Sequence, residues 1–247
     1  MINARRLGHR QISESENVVL SQQRLDSTDF RGRHIEQFSA EGTRLERCRF
    51  DNAVIEYASF GAGRAVSEYV DCSFDGAKLR MGPGGYARFV GCTFENTLIE
   101  NWFCFAVEIV GCMFSGRLRK VVFNGTPRPE DVGVVGRRVN QFEDNDFSRA
   151  TLADVSFRTG IDLAKQQLPT GDDYRLLDNA ESAVRRARVA FNAWDDQDLK
   201  KQAKGVLTVM EEDVAAGQSQ LLIRPDAYPR ASRRAIKALL DAATNRS

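Results

Sequence analysis

Large apolar residues recur along this chain at intervals of five and of 20 positions. One column reads Phe30, Phe50, Phe74, Phe94, Phe114 and Phe147, and two positions earlier stand Thr28, Cys48, Cys72, Cys92, Cys112 and Asn145, mostly small. A second column reads Ile35, Ile55, Leu79, Ile99, Leu118 (one place early) and Leu152. A fourth reads Leu45, Tyr69, Phe89, Ile109 and Phe142. Neither the helical period of 3.6 nor the strand period of 2 produces fives. A coil with four short sides does, each side turning one large residue inward. Stacked at ~4.8 Å, about six coils form a prism roughly 25 to 30 Å long, with an interior that no single coil could bury.

The ruler breaks in two places. Phe50 to Phe74 is four residues too long, with the surplus after Phe60, and Phe114 to Phe147 is thirteen too long, with the surplus at 126–138 after Phe123. Both insertions leave from the end of the third side. That side is irregular elsewhere: Phe38 with Ala40 and Trp102 with Cys104 reverse the expected small-then-large order, and a Gly-rich run from Met81 to Tyr86 replaces it in another coil. Recognition elements on rigid scaffolds concentrate in such loops. Solenoids also tolerate insertions at their corners, and one edge that has merely drifted is the plainer reading; the sharper expectation is that the third side and its loops form a partner surface, with Trp102, Phe103 and Phe105 as aromatic anchors and Arg128, Arg137 and Arg138 on the long loop.

From Leu168 the fives stop and helical spacing begins. One apolar stripe runs Ala180, Val184, Ala187, Phe191 and Trp194 after a cap at Asp178, and a second runs from Leu199 to Val214, ended by Gly217. A third opens at Pro229 with Ile236, Leu239, Leu240 and Ala243, and residues 220–225 read as an extended connector. The expected organisation is an amino-terminal cap over 1–24, the coil over 25–160 with its loop at 126–138, a connector over 161–175, and a helical domain or cap over 176–247. Narrow stripes on a small domain lean on something else, and the open end of the coil is the available surface.

The triplets Cys72-Ser-Phe74, Ala77-Lys-Leu79, Asn145-Asp-Phe147 and Ala150-Thr-Leu152 resemble the small-polar-Leu/Phe pattern of the pentapeptide repeat proteins, over about half the chain. The resemblance implies a right-handed quadrilateral β-helix. It is poor for function, since members of that family do many things. Several protect DNA gyrase from quinolones, an effect explained by an acidic rod that imitates duplex DNA, and some of these need a loop projecting from the coil.

Charge weighs against such imitation here. The first 169 residues hold 22 Lys plus Arg against 22 Asp plus Glu, and the whole chain carries +1, whereas DNA presents one negative charge per ~1.7 Å of axis. The basic clusters at 185–188, 200–204 and 230–234 are interleaved with acidic residues and read as solvated helix faces. Four of the five cysteines share one inward column, a ladder and not a tetrahedral metal cluster. His9 and His34 have no evident partner, and no phosphate loop, nucleophile elbow or metal-ligand spacing is present. No signal peptide or membrane span is evident, so a cytoplasmic location is expected. The sequence thus reads as a non-catalytic binding scaffold without cofactor or metal, presenting one side and loop to a protein partner. An uncovered aromatic edge also offers a homodimer contact. The alternative is a gyrase-interacting resistance factor acting by partial DNA mimicry.

Overall fold

A computed structural model describes residues 16–82 and 85–244. His9 and most of the expected amino-terminal cap lie outside the described residues, as do positions 83 and 84 of the Gly-rich run. The chain winds into a parallel β-solenoid of about five turns, slightly fewer than the spacing predicts, followed by a helical region. One sheet contains, in order, Glu16–Ser21, His34–Glu41, Val54–Ser59, Lys78–Met81, Thr93–Cys104, Met113–Asn124 and Asp146–Arg158, and forms the second and third sides. The fourth side is a sheet of Arg24–Asp26, Arg44–Glu46, Ser67–Val70, Tyr86–Val90, Ala106–Val110 and Phe142–Glu143. The first side is stitched by bridges joining Asp29, Arg49, Ser73 and Thr93 in turn.

Columns of left-handed residues mark the corners. Ser27, Arg47, Asp71, Gly91, Gly111 and Asp144 turn the chain into the first side, and Gly32, Asn52, Gly76, Asn96 and Gly116 turn it into the second, all at positive φ. Asn101, Lys120 and Asp154 do the same between the second and third sides. Within the sides, side chains alternate inward and outward. The phenylalanine column stacks face to face, with centroids 4.6 to 4.8 Å apart from Phe30 through to Phe147. That separation is the strand spacing itself. Ile35, Ile55, Leu79, Ile99, Leu118 and Leu152 pair directly, and the early Leu118 is absorbed by a register shift between Phe114 and Gly116. Leu45, Tyr69, Phe89, Ile109 and Phe142 pair likewise.

All five cysteines are free and buried. Cys48, Cys72, Cys92 and Cys112 each donate to a backbone carbonyl two residues back, from Glu46, Val70, Val90 and Val110. Burial pushes the thiols of Cys92 and Cys104 well up, which keeps them protonated and unreactive. Asn145 continues the column, with its amide on the Ile109 carbonyl at 2.9 Å and its backbone N–H on Gln166 at 3.2 Å.

Two boundaries differ from expectation. Glu16–Ser21 and Arg24–Asp26 already pair in register with the next coil, so ladder pairing begins before residue 25. At the other end Gln167 bridges to Asp146, and Phe147 donates to the Gln167 carbonyl at 2.7 Å. Gln166-Gln167-Leu168 is thus a further rung inside the expected connector.

A one-turn helix, α1 (Val132–Val135), lies in the long inserted loop, and three longer helices follow: α2 (Ala180–Ala193), α3 (Gln197–Ala215) and α4 (Arg230–Thr244). The cap of α2 is Asn179, which accepts from the Ser182 N–H at 3.0 Å, and not Asp178, one residue earlier. Asp196 caps α3 in the same way. Val184, Ala187, Leu207, Met210, Ile236 and Leu240 form a core separate from that of the coil. The extended stretch expected at 220–225 contains a strand, Leu221–Ile223, paired antiparallel with Arg175–Leu177. Gln218 seats this region on the last coil: its side chain accepts from the N–H groups of Gly160 and Ile161, both at 3.0 Å, and donates to the Ile161 carbonyl at 2.8 Å. Among the described residues no helix is long and apolar enough to cross a membrane.

Candidate functional site

Both insertions leave at the corner between the third and fourth sides, where Gln22 and Gly42 make simple left-handed turns in the first coils. The first insertion is held close to the coil. Ala62 donates to the Ala40 carbonyl at 2.7 Å, and the Arg64 N–H donates to the Glu41 carboxylate at 2.9 Å. Gly61 crosses the chain at Gly85 and Tyr86 backbone on backbone, with the Tyr86 N–H on the Gly61 carbonyl at 2.9 Å.

The long loop has a pinned neck. Asn140 is buried, and its side-chain amide donates to the carbonyls of Phe105 and Asn124, both at 2.9 Å. Arg137 donates to the Ala106 carbonyl at 3.0 Å and pairs with Glu108 at 3.3 Å, while Glu108 also holds Arg88 at 2.8 Å. Past this neck the loop folds back on the coil. Asp131 accepts from the Tyr86 hydroxyl at 2.8 Å, and this bond holds the phenol proton on and raises its pKa. The Arg128 guanidinium sits 3.5 Å from the centre of the Phe105 ring, a cation–π contact.

Between the two insertions lies a cleft of ≈ 350 Å³. Its aromatic wall is Tyr57, Tyr86 and Phe105, its charged rim Arg128 and Asp131, and its floor the glycine backbone at Gly61, Gly63 and Gly85. Two of the six sequence-predicted residues, Phe105 and Arg128, therefore meet in it. Trp102 does not: it is 3% exposed and packs inward on Phe89 and Phe123 at 5.5 and 5.9 Å, so it is core and cannot anchor a partner. Arg137 is committed to the neck and is likewise unavailable. Phe103, the next residue on the strand, faces out at 40% exposure, and Arg138 is exposed; neither lines the cleft. Sequence reasoning missed Tyr57, Tyr86 and Asp131. Only Tyr57 left a signal: it pairs with Gln37, an outward polar position 20 residues earlier.

Many charges on the prism are paired locally. Arg44 bridges Glu46 and Glu68, Arg49 meets Asp51 at 2.8 Å, Arg88 meets Glu108 at 2.8 Å, Arg119 meets Glu100 at 2.9 Å, and Arg149 pairs with Glu95. Lys78, Arg80, Arg117 and Lys120 are exposed on or beside the second side and have no ion-pair partner among the described residues. That concentration of like charge is cationic. Among the described residues no group of His, Cys, Asp and Glu is placed to hold a metal ion.

No family model matches the chain, and no curated protein does. A solved structure of trypsin-treated QnrB1, a plasmid-mediated fluoroquinolone resistance protein, aligns at 14% identity over 62% of this chain and 78% of that one, with a TM-score of 0.17. At that score nothing is transferred from one chain to the other, and the pentapeptide resemblance rests on this chain's own repeat.

Proposed function

We propose that this protein is a non-catalytic scaffold that receives a protein partner on its third side, in and around the cleft between the two inserted loops. The observation that carries this reading is the pinned neck of Asn140 and Arg137, which holds Arg128 and Asp131 against a row of partly exposed aromatics. Preorganised aromatic and arginine side chains around a concave site are what protein recognition uses most. The five buried free thiols suit a reducing, cytoplasmic compartment.

Gyrase interaction by DNA mimicry lacks the charge it requires. Several carboxylates on the coil are paired with arginines on neighbouring rungs, and the basic residues Lys78, Arg80, Arg117 and Lys120 on or beside the second side, unpaired among the described residues, have the wrong sign.

The test is to replace residues 129–135 with a short Gly-Ser turn that keeps Arg137 and Asn140, and to compare capture of a purified partner by the two full-length proteins. Binding should fall at least tenfold with an unchanged melt. A variant that still binds as the parent does removes the cleft from the interface. A gyrase supercoiling assay with and without quinolone decides the mimicry reading separately.

A further inference from the structure

The last rung of the coil is closed one side at a time, and one side is left open. On the first side the backbone of Gln167 makes a further rung, donating to the Asn145 carbonyl at 2.9 Å and accepting from the Phe147 N–H at 2.7 Å. On the second side the Tyr174 hydroxyl takes the place of a strand: it donates to the Ala150 carbonyl at 3.3 Å and accepts from the Leu152 N–H at 3.0 Å. At the corner beyond the third side the Gln218 amide does the same for Gly160 and Ile161.

The third side of this rung, residues 155–158, has no such closure. Gly125 donates to the Arg158 carbonyl at 2.8 Å, so Arg158 faces the preceding coil. Neighbouring residues of a strand turn their backbone groups to opposite edges, so Ser156 faces that coil too, while Val155 and Phe157 turn their N–H and C=O groups to the open edge. Among the described residues none bonds to them there. A cavity of ≈ 220 Å³ lies against this stretch, with Val155, Ser156 and Phe157 on the coil side and Val206, Met210 and Leu222 on the side of the helical region. Buried backbone groups are nearly always paired, and an open strand edge is a template for another strand.

The charges of the wall balance. Its acids and bases are Asp154 and Asp213 against Arg224, and Arg158 behind it pairs with Asp213 at 3.1 Å. No sign is left over to select a charged ligand. A neutral group with one donor and one acceptor answers the free Val155 carbonyl and the free Phe157 N–H, and an extended peptide residue is such a group. An apolar cavity of about 150 Å³ accommodates benzene, so this one has room for a peptide residue with an apolar side chain.

We propose that this edge binds an extended peptide segment centred on a neutral apolar residue, whose N–H donates to the Val155 carbonyl, whose carbonyl accepts from the Phe157 N–H, and whose side chain packs on Val206, Met210 and Leu222. The segment lengthens the third side by one strand, with main-chain bonds supplying affinity and the apolar pocket supplying selectivity. The site shares no lining residue with the cleft between the inserted loops and does not rest on the partner reading made there.

Backbone amide exchange of the full-length protein is followed by NMR during titration with N-acetyl-leucine methylamide, one residue between two peptide units. In the free protein the Phe157 N–H should exchange about tenfold faster or more than those of Ser156 and Arg158, which are tied to the preceding coil. Saturation with the probe should slow Phe157 about tenfold, with a Kd of about 1 mM or tighter. N-acetyl-N-methylleucine methylamide keeps the side chain but loses the donor to Val155, and should bind about tenfold more weakly. Val209→Trp, at a partly exposed position of the cavity wall, should fill the cavity and abolish the slowing while the fold is kept. Four results would each overturn the proposal: Phe157 exchanging as slowly as Ser156 in the free protein, no slowing by the probe, the N-methylated probe binding as tightly as its parent, or unchanged affinity in Val209→Trp.

Discussion

Replacing Gly85 with alanine tests the backbone crossing on which the third-side cleft is built. A Cβ at Gly85 would fall 1.9 Å from the Gly61 carbonyl oxygen and 2.5 Å from its carbon, and one at Gly61 would fall 2.4 Å from the carbonyl of Tyr86. Non-bonded carbon and oxygen keep about 3.3 Å apart, so the two segments must separate by more than an ångström. The obstacle is backbone on both sides, and no rotamer change relieves it. Neither glycine is at positive φ, so the cost is one of space and not of conformation. Separation breaks the bond from the Tyr86 N–H to the Gly61 carbonyl, worth about 1 kcal/mol net. It also strains a packed corner, for about 1 to 3 kcal/mol more. Gly85→Ala should therefore lose roughly 2 to 4 kcal/mol in urea unfolding, followed through the fluorescence of the buried Trp102. Gly133→Ala is the control: it sits in α1 with nothing within 4 Å of the added carbon and should lose nothing. A Gly85→Ala protein within about 0.5 kcal/mol of the parent would refute the crossing.

Three further outcomes can be measured in the same way. Phe94 lies between Phe74 and Phe114 at 4.7 and 4.8 Å, so Phe94→Leu should cost about 2 kcal/mol, whereas Phe103→Leu on the outer surface should cost less than about 0.5. Asn140→Ala leaves the Phe105 and Asn124 carbonyls without their amide donor; a loss of about 1 to 3 kcal/mol and faster hydrogen exchange across 126–138 are expected, and unchanged exchange would show that the neck does not hold the loop. Burial raises Asp213 from 3.8 to about 6 against the pull of Arg158. The folded state therefore retains this proton longer than the unfolded one, and the associated stability is present below pH ~4 and lost as pH rises through ~6. Relative to Asp213→Asn, the parent should lose about 2 to 3 kcal/mol between pH 4 and 7, and parallel pH profiles would contradict this.

The inner wall was legible in the sequence because it is periodic. Phe30 to Phe147, the cysteine ladder and the early Leu118 all follow from counting, since each coil repeats the same in-or-out decision. What counting could not supply is contact between distant parts of the chain. Trp102 reads as an anchor in the sequence because a large residue stands where a small one is due; alternation along its strand puts Trp102 inside, Phe103 outside and Cys104 inside. The roles of Arg137 and Asn140 depend on carbonyls some 31 and 35 residues away, and no spacing encodes them. Gln166-Gln167-Leu168 escaped notice because glutamine fills the small position and leucine the place of phenylalanine.

The concentration of insertions at one corner has a physical reason that does not depend on function. At the corners into the first and second sides a single left-handed residue turns the chain in coil after coil, and between the second and third sides the strands run on continuously or turn at one such residue, Asn101, Lys120 or Asp154. One residue added within a side would reverse every inward and outward position after it. Between the third and fourth sides the two sheets are separately paired, so extra length adds only loop entropy, about 0.6 kcal/mol per doubling. Drift therefore explains where the loops are. It does not explain what the long loop does after leaving, because a solvated excursion has no need of a buried Asn140, an Arg137 drawn into the neck, or an Asp131 returned to Tyr86 across 45 residues. Ordering those side chains costs conformational entropy that an open loop would keep, and the return for it is a fixed cleft wall. If drift were the whole account, exchanging residues 129–135 for a flexible turn would change neither stability nor binding; a loss of binding alone, with the neck intact, separates a recognition surface from an accident of length.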